Sequence, residues 1–172
     1  KLMNLNKNIV FLGMMGSGKS SIGSLVSKKL NIPFIDIDNI IENIEDVSIT
    51  EIFENNGEDY FRALEEKITL KSLKNKKTVI ALGGGGFIND KIRKEILSNH
   101  ISFWLDWDES ILLKRIRDSK KRPLAFRSTD KEIKKIINKR TKIYSKAQFK
   151  INCNKLSKFE IQKKIIKIYE IN

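Results

Sequence analysis

The residues best suited to chemistry form the segment from Gly13 to Ser20, GMMGSGKS. They fit the phosphate-binding pattern G-x-x-x-x-G-K-[ST], between an apolar strand-like run and a helix-like segment. Glycines let successive backbone N–H groups point at phosphate oxygens, and a helix N-terminus adds the positive end of its dipole. Lys19 can reach the β- and γ-phosphates, and the Ser20 hydroxyl can ligate Mg²⁺. The predicted nucleotide-binding residues are Gly16, Ser17, Gly18, Lys19, Ser20 and Ser21.

Two carboxylates follow the second apolar segment. Asp36 and Asp38 are two residues apart, so in an extended chain their side chains face the same side. Beside a magnesium nucleotide, one could hold the metal or its water shell while the other contacts an acceptor hydroxyl. The alternative is a strand-end turn or a helix cap, which Asp38 before Asn-Ile-Ile-Glu would fit.

A run of four glycines, Gly83 to Gly86, follows the third apolar segment. Glycines suit a place where the backbone must approach a ligand closely. A flexible loop is the competing interpretation, above all for Gly86.

Three arginines stand in settings unlike the lysine-rich remainder of the chain. Arg62 lies in an acidic region, Arg122 precedes a proline, and Arg140 lies near the end of a long helical segment. Guanidinium groups pair well with planar carboxylates and with phosphates. Spacing alone does not separate these arginines from ordinary surface residues.

Short apolar segments alternate with amphipathic ones along the whole chain, which predicts a parallel sheet with helices on both faces. Strands are predicted at 8–12, 34–37, 78–82, 101–105 and 148–152, with helices at 19–30, 58–74, 89–97, 108–117, 129–146 and from about 158 onward. The phosphate loop, the two aspartates and the glycine run each follow a strand, so they should meet at one edge of the sheet. Residues 118–130 lack apolar periodicity, which predicts a loop that becomes ordered on binding.

Composition limits the other functions. The 172 residues suit one domain. The single cysteine excludes an intramolecular disulfide and a Cys-rich zinc site, and the single histidine argues against His-based metal sites. We expect His100 to be structural or exposed. The chain lacks an apolar signal-peptide core and a membrane-length apolar run, so we expect a cytoplasmic protein.

The net charge of +13 is unevenly distributed. Residues 1–112 carry 14 Lys and Arg against 16 Asp and Glu, whereas residues 113–172 carry 20 against 5. A basic end can bind nucleic acid or attract small anions, but few aromatic residues accompany it, so we expect lysine-rich solvated helix faces and no nucleic-acid partner.

Taken together, these segments resemble the shikimate kinase family over residues 8–170. The resemblance rests on GMMGSGKSSIG, FIDID, SITEIFENNGEDYFRALE, ALGGG, KRPL and the KR-x3-Y-x2-A of residues 139–147. The phosphate loop is common to many kinases, whereas the combination with D-x-D, the FR segment and GGG is specific to this family. The resemblance implies a three-layer α/β/α fold with a five-stranded parallel sheet, similar to P-loop nucleoside-monophosphate kinases and carrying a mobile lid.

The same resemblance implies one kinase domain over 1–172, with a core at 1–35, 76–117 and 131–172, an acceptor-binding segment at about 36–75 and a lid at about 118–130. It implies transfer of the γ-phosphoryl group of ATP to shikimate by a monomer that requires Mg²⁺ and has no membrane partner.

The family's residue roles transfer to matching positions of this chain. Lys19 and Ser20 would serve ATP and Mg²⁺, and Asp36 would assist the metal through water. Asp38 would bind the hydroxyls of shikimate and would be the candidate base for its 3-hydroxyl. Arg62 and Arg140 would bind the shikimate carboxylate, and Gly83, Gly84 and Gly85 would contact the acceptor through their backbone. Arg122 would reach the transferred phosphoryl group as the lid arginine, and Arg115 would pack on adenine.

Two positions depart from the family pattern. Gly86 stands where a small residue such as alanine is usual, which predicts a looser glycine loop. The adenine-side loop reads Asn152-Cys-Asn-Lys-Leu-Ser157 where relatives often carry an arginine, and Lys155 is the candidate substitute.

Three alternatives stay open at this point. Another small-molecule or nucleoside-monophosphate kinase could share the fold. A GTP-dependent switch would need a guanine-reading N-K-x-D, but Asn154-Lys155-Leu156-Ser157 lacks the aspartate. A nucleic-acid-binding module would bind nucleic acid through the lysine- and arginine-rich residues 113–172.

Overall fold

A computed structural model describes residues 6–119 and 123–172. Its five strands form one parallel sheet in the order β2-β3-β1-β4-β5, which confirms the predicted sheet. The strands are β1 (Ile9–Leu12), β2 (Phe34–Asp36), β3 (Val79–Ala81), β4 (Ile101–Asp106) and β5 (Phe149–Asn152). The helices are α1 (Lys19–Leu30), α2 (Ile37–Glu45), α3 (Ile49–Asn56), α4 (Glu58–Ser72), α5 (Asp90–Asn99), α6 (Glu109–Ser119), α7 (Pro123–Arg127), α8 (Asp130–Tyr144) and α9 (Lys158–Ile171), with one 3₁₀ turn at Gly86–Ile88.

Side chains of each strand alternate between two hydrophobic cores. Val10 and Leu12 join the core beneath α2 to α6 and α8, whereas Ile9 and Phe11 join the core beneath α1 and α9. This alternation follows from the two-residue period of a strand. Both faces of the sheet are therefore covered, which gives three layers. Within the described residues, no helix combines the length and apolarity needed to cross a membrane.

The strand register brings the predicted chemical segments to one edge of the sheet. Phe11 and Asp36 both pair with Ala81, so β1, β2 and β3 end at nearly the same level. The phosphate loop, the start of α2 and the glycine run begin directly after these residues. Their meeting was predicted from the strand pattern, and the register confirms it.

Most helix starts are those that the sequence predicts. The Thr129 side chain accepts a hydrogen bond from the Glu132 backbone N–H at 3.2 Å, and the Glu132 carboxylate accepts one from the Thr129 N–H. Ser48 and Asn89 cap α3 and α5 by accepting a backbone N–H from the third residue of each helix. Side-chain caps of this kind satisfy N–H groups that have no partner within the helix.

Two local predictions are wrong. Residues 118–130 were expected to be a loop, but they contain α7, in which Ala125 is buried and Leu124 packs on the core. Five residues are too few for a periodic pattern, although proline is common as the first residue of a helix. The second concerns the two aspartates: the residue that caps α2 is Asp36, whose carboxylate accepts the Asn39 N–H at 3.2 Å, and not Asp38, for which a cap was the alternative interpretation. The extended-chain argument for the two aspartates therefore fails, because Asp38 lies in the first turn of α2.

His100 lies at the opposite end of the sheet and is buried, with 8% of its surface exposed. Its Nδ1 accepts a hydrogen bond from the Asn8 backbone N–H, and its Nε2 lies 3.4 Å from a Glu95 carboxylate oxygen. Burial lowers the pKa of His100 and Lys7 adds to this effect, whereas the Glu95 carboxylate opposes it. His100 is therefore a structural residue of the core.

Acid should destabilise the protein through His100. Because its pKa is lower in the folded chain than in the unfolded one, the unfolded chain binds more protons, and stability is lost as pH falls below about 6.5. The loss is at most about 1.4 kcal/mol per pH unit for one proton. The free energy of unfolding can be measured in urea at several pH values between about 7.5 and 5.5. It should depend less on pH in His100→Asn than in the unmodified protein, because asparagine keeps a hydrogen-bond acceptor but cannot titrate. Equal pH dependence of the two proteins would contradict this role.

Candidate active site

The loop between β1 and α1 has the backbone that its glycines predict. Gly16 has φ of 79° and Gly18 has φ of 87°, a left-handed region that side chains other than glycine rarely adopt. Gly18 is also the residue from which α1 begins. The loop therefore ends at the N-terminus of a helix, whose free N–H groups suit an anion.

Lys19 is buried at the start of α1. Its ammonium donates to the backbone carbonyls of Gly13 at 2.7 Å and of Met14 at 2.9 Å. These two contacts hold the charged group inside the loop, where the pattern predicts a phosphate contact.

Ser20 and Asp36 come together from α1 and the end of β2. The Ser20 hydroxyl donates a hydrogen bond to the Asp36 carboxylate. Hydroxyl and carboxylate oxygens are ligands that Mg²⁺ prefers. The two predicted metal residues are therefore neighbours, and this donor set fits Mg²⁺ bound partly through water.

A cavity of about 310 Å³ lies beside the phosphate loop. Arg62 of α4 and Arg140 of α8 both line it, as do Gly84 and Gly85 of the glycine run. A second cavity, of about 260 Å³, is lined by Lys19, Ser20, Asp36 and Asp38. Met15 and Gly84 line both cavities, so a ligand in one would adjoin a ligand in the other.

Glu65 is the buried carboxylate of the first cavity, with 2% of its surface exposed. It accepts a hydrogen bond from Arg62 at 2.9 Å, and Glu58 lies 3.5 Å from the other side of the same guanidinium. Burial raises the pKa of Glu65, the Arg62 charge lowers it, and Asp38 raises it again. Arg62 is therefore held in place by two carboxylates while it faces the cavity.

The glycine run is closely surrounded by these charged groups. A Cβ at position 83 would lie 2.8 Å from an Asp38 oxygen and 2.9 Å from a Glu65 oxygen. A Cβ at position 85 would lie 2.2 Å from a terminal nitrogen of Arg62, and one at position 84 would lie 3.3 Å from Arg140. The absence of side chains at 83–85 is thus what lets the charged groups converge.

Tyr144 is hydrogen-bonded to the glycine run. Its hydroxyl donates to the Gly84 carbonyl and lies 3.7 Å from the Met14 sulfur. Burial raises the pKa of Tyr144 to about 12, so the hydroxyl keeps its proton at neutral pH. The side chain therefore fixes the Gly84 peptide, which lines both cavities.

Arg115 lies against the phosphate loop. It donates to the Gly16 carbonyl at 3.1 Å, and its guanidinium carbon lies 3.9 Å from the centre of the Trp107 ring. The Trp107 indole N–H donates to the Ser17 carbonyl at 2.8 Å. Arg115 is thus close to the loop and is packed on a residue that the sequence did not single out, while its contact with adenine stays a prediction.

Helix α7 and the residue that follows it contribute to the wall of the first cavity. Leu124, Arg127 and Ser128 line the cavity, and Arg127 forms an ion pair with Glu54 of α3 at 2.9 Å. Arg122, the predicted lid arginine, lies outside the described residues.

Gly86 and Lys155 are the two positions at which the sequence departs from the family pattern. A Cβ at Gly86 would meet only Leu82, at an ordinary 3.4 Å, so no steric constraint in the described structure requires glycine there. Lys155 is exposed with φ of 61°, and its proposed contact with ATP stays a prediction.

Sequence reasoning missed Glu65, Tyr144 and Trp107 as site residues. Glu65 and Tyr144 lie within quoted motifs, but their burial beside Arg62 and Gly84 was not visible from spacing. Trp107 lies directly after a strand end, a position typical of ligand sites in parallel sheets. That position was the one signal that could have found it.

Comparison with known proteins gives one consistent result. A sequence model described as shikimate kinase matches residues 15–170. A shikimate kinase of Bartonella quintana is 42% identical over 168 residues, which is 96% of this chain and 80% of that protein. A solved shikimate kinase from Acinetobacter baumannii in complex with shikimate has a TM-score of 0.91 at 27% identity, over 99% of this chain and 96% of that one. The Aquifex aeolicus shikimate kinase structure has a TM-score of 0.80 at 38% identity, over 96% and 97%. The chain therefore belongs to the shikimate kinase family and is an ATP-dependent kinase.

Proposed function

We propose that this chain transfers the γ-phosphoryl group of ATP to the 3-hydroxyl of shikimate, which yields shikimate 3-phosphate and ADP. This reaction would serve chorismate and aromatic amino-acid biosynthesis. The observation that carries the proposal is the pair of adjoining cavities, one lined by the phosphate loop and the other by two arginines. An acceptor with a carboxylate and several hydroxyls matches the first cavity, which the two arginines line.

Arg62 and Arg140 bind the acceptor carboxylate in this proposal. Guanidinium groups form paired, charge-assisted hydrogen bonds with carboxylates. Glu65 and Glu58 keep the Arg62 guanidinium in one orientation, which lowers the entropy lost when the acceptor binds. The backbone of Gly84 and Gly85 lines the same cavity and gives the acceptor a close, uncharged wall.

Asp38 acts as the base for the acceptor hydroxyl. It lines the phosphate cavity and stands against Gly83, next to Gly84, which lines both cavities. Phosphoryl transfer depends mainly on positioning and charge neutralisation. Asp38 orients the hydroxyl and takes its proton, while Lys19 offsets charge on the phosphates.

Magnesium would be held by Ser20 and, through water, by Asp36. The bound ion would neutralise phosphate charge as the γ-phosphoryl group moves. Leu124 and Ser128 line the arginine-lined cavity. By covering a bound acceptor they would exclude water, which would protect ATP from hydrolysis.

The proposed reaction predicts ADP formation that depends on added shikimate. A coupled ADP assay with ATP and Mg²⁺ should show turnover with shikimate and much less with gluconate or nucleoside monophosphates. These acceptors lack the combination of a ring carboxylate and ring hydroxyls that the two arginines and Asp38 would bind. Equal or greater turnover with one of the other acceptors would refute shikimate as the substrate.

Asp38→Asn should reduce kcat about 10²-fold or more, because an amide cannot take the hydroxyl proton. ADP binding, measured by calorimetry, should change little. Asp46→Asn is the matched control, since Asp46 is an exposed residue at the other end of α2 with φ of 56°, a conformation that asparagine tolerates. Turnover of Asp38→Asn close to that of the control would eliminate the assigned base.

Gly85→Ala should weaken acceptor binding by displacing Arg62. The new methyl group would occupy the space of the guanidinium, which is the end of a flexible side chain, so the protein should still fold. Loss of hydrogen bonds to a charged group, about 1.5–3 kcal/mol, corresponds to a KM for shikimate raised about 10- to 100-fold. The KM for ATP should change much less, and Arg62→Ala, which removes the guanidinium itself, should show the same difference between the two KM values.

Gly86→Ala is the control for this experiment, since its methyl group meets only Leu82 at an ordinary distance. Its KM values should stay within about twofold of the unmodified protein. A similar rise in both KM values for Gly85→Ala would argue against an arginine-bound carboxylate.

A further inference from the structure

Trp107 lies in the turn between β4 and α6 and joins two parts of the nucleotide site. Its indole N–H donates to the Ser17 carbonyl of the phosphate loop at 2.8 Å. The Arg115 guanidinium lies 3.9 Å from the ring centre and donates to the Gly16 carbonyl at 3.1 Å. The tryptophan, the arginine and two consecutive loop carbonyls thus form one closed set of contacts.

The turn that carries Trp107 is held on both sides. The Asp106 carbonyl accepts from the Cys153 N–H at 2.9 Å, and the Asp108 N–H donates to the Asn154 side chain at 2.9 Å. The Asn154 amide donates back to the Asp108 carboxylate at 3.0 Å. Trp107 also packs against both hydrophobic cores. The indole is therefore a fixed surface.

A fixed aromatic surface changes what Arg115 can do. Guanidinium and indole are both planar and attract each other through the ring quadrupole. Arginine alone has many rotamers, and a packed ring limits them before a ligand arrives. A guanidinium lying on one ring offers its opposite face to a second planar group, such as a purine.

We propose that Trp107 is a positioning residue for the adenine end of the ATP site. It holds Arg115 so that the exposed face of the guanidinium stacks on the base. Through Ser17 it also ties that stack to the phosphate loop. The inference rests on the proposed function and on the adenine contact that the family resemblance predicts for Arg115.

Two ligands separate base recognition from phosphate recognition. ADP occupies both parts of the site, whereas pyrophosphate occupies the phosphate loop alone. Calorimetric Kd values for MgADP and magnesium pyrophosphate should be measured for the unmodified protein and for Trp107→Leu, Trp107→Phe and Arg115→Leu. Neither ligand requires an acceptor, so the result is independent of the assignment of shikimate.

Trp107→Leu should raise the Kd for ADP about tenfold, as expected for loss of a cation–π stack. The Kd for pyrophosphate should rise less than about twofold, because pyrophosphate has no base that could stack on Arg115. Trp107→Phe keeps a ring beneath Arg115 but loses the bond to Ser17, so it should give a smaller rise, about two- to threefold. A residue that only stabilises the turn would weaken both ligands together.

Each outcome is decisive. Equal weakening of both ligands by Trp107→Leu, or unchanged ADP binding, overturns the inference. If Arg115→Leu weakens ADP selectively and Trp107→Leu does not, Trp107 has no positioning role but the adenine contact of Arg115 stands. If Arg115→Leu leaves ADP binding unchanged, the proposed adenine contact fails and the inference fails with it.

The two tryptophans of the chain allow a second measurement. In a Trp104→Phe background, Trp107 is the one remaining tryptophan, and its emission should change on addition of MgADP more than on addition of pyrophosphate. Emission that responds equally to both ligands would contradict a stack that forms on the base.

Discussion

The close approach of charged side chains to a backbone without side chains is the constraint on which this site depends. Asp38, Glu65, Arg62 and Arg140 come from three different helices, and all stand within 3.3 Å of the places where residues 83–85 would carry Cβ atoms. A single methyl group at 85 would occupy the space of the Arg62 guanidinium. Because β3 delivers this bare backbone to the edge of the sheet, the helices around it can bring their charges to one point.

Such a concentration of charge needs internal compensation. Glu65 is almost completely buried, and its ion pair with Arg62 offsets part of the cost of removing a carboxylate from water. Tyr144 supplies a neutral donor to the Gly84 carbonyl, because burial holds its pKa at about 12. The ion pair between Arg62 and Glu65 and the fixed Gly84 peptide therefore shape the first cavity. The lysine-rich helix faces lie mostly in solvent.

The two ends of the nucleotide site are supported in different ways. The phosphate loop takes its shape from left-handed glycines and the start of α1, which are local features. Arg115 takes its position from Trp107, whose turn is held by residues of the loop after β5. The shape of the phosphate loop is encoded within a few consecutive residues. The position of Arg115 depends on a contact between Asp108 and Asn154, which are 46 residues apart in the chain.

The sequence by itself determined the phosphate loop, the order of strands and helices, the meeting of three chemical segments at one sheet edge and the shikimate kinase family. These features follow from local spacing, strand periodicity and motif combinations, which are properties of neighbouring residues. Tertiary structure alone decided that Asp36 caps α2, that α7 lines the cavity that holds Arg62 and Arg140, and that Glu65, Tyr144 and Trp107 contact Arg62, the glycine run and the phosphate loop, respectively. Burial and contacts between distant segments fix these roles, because a side chain's partner across the fold leaves no periodic trace in the chain.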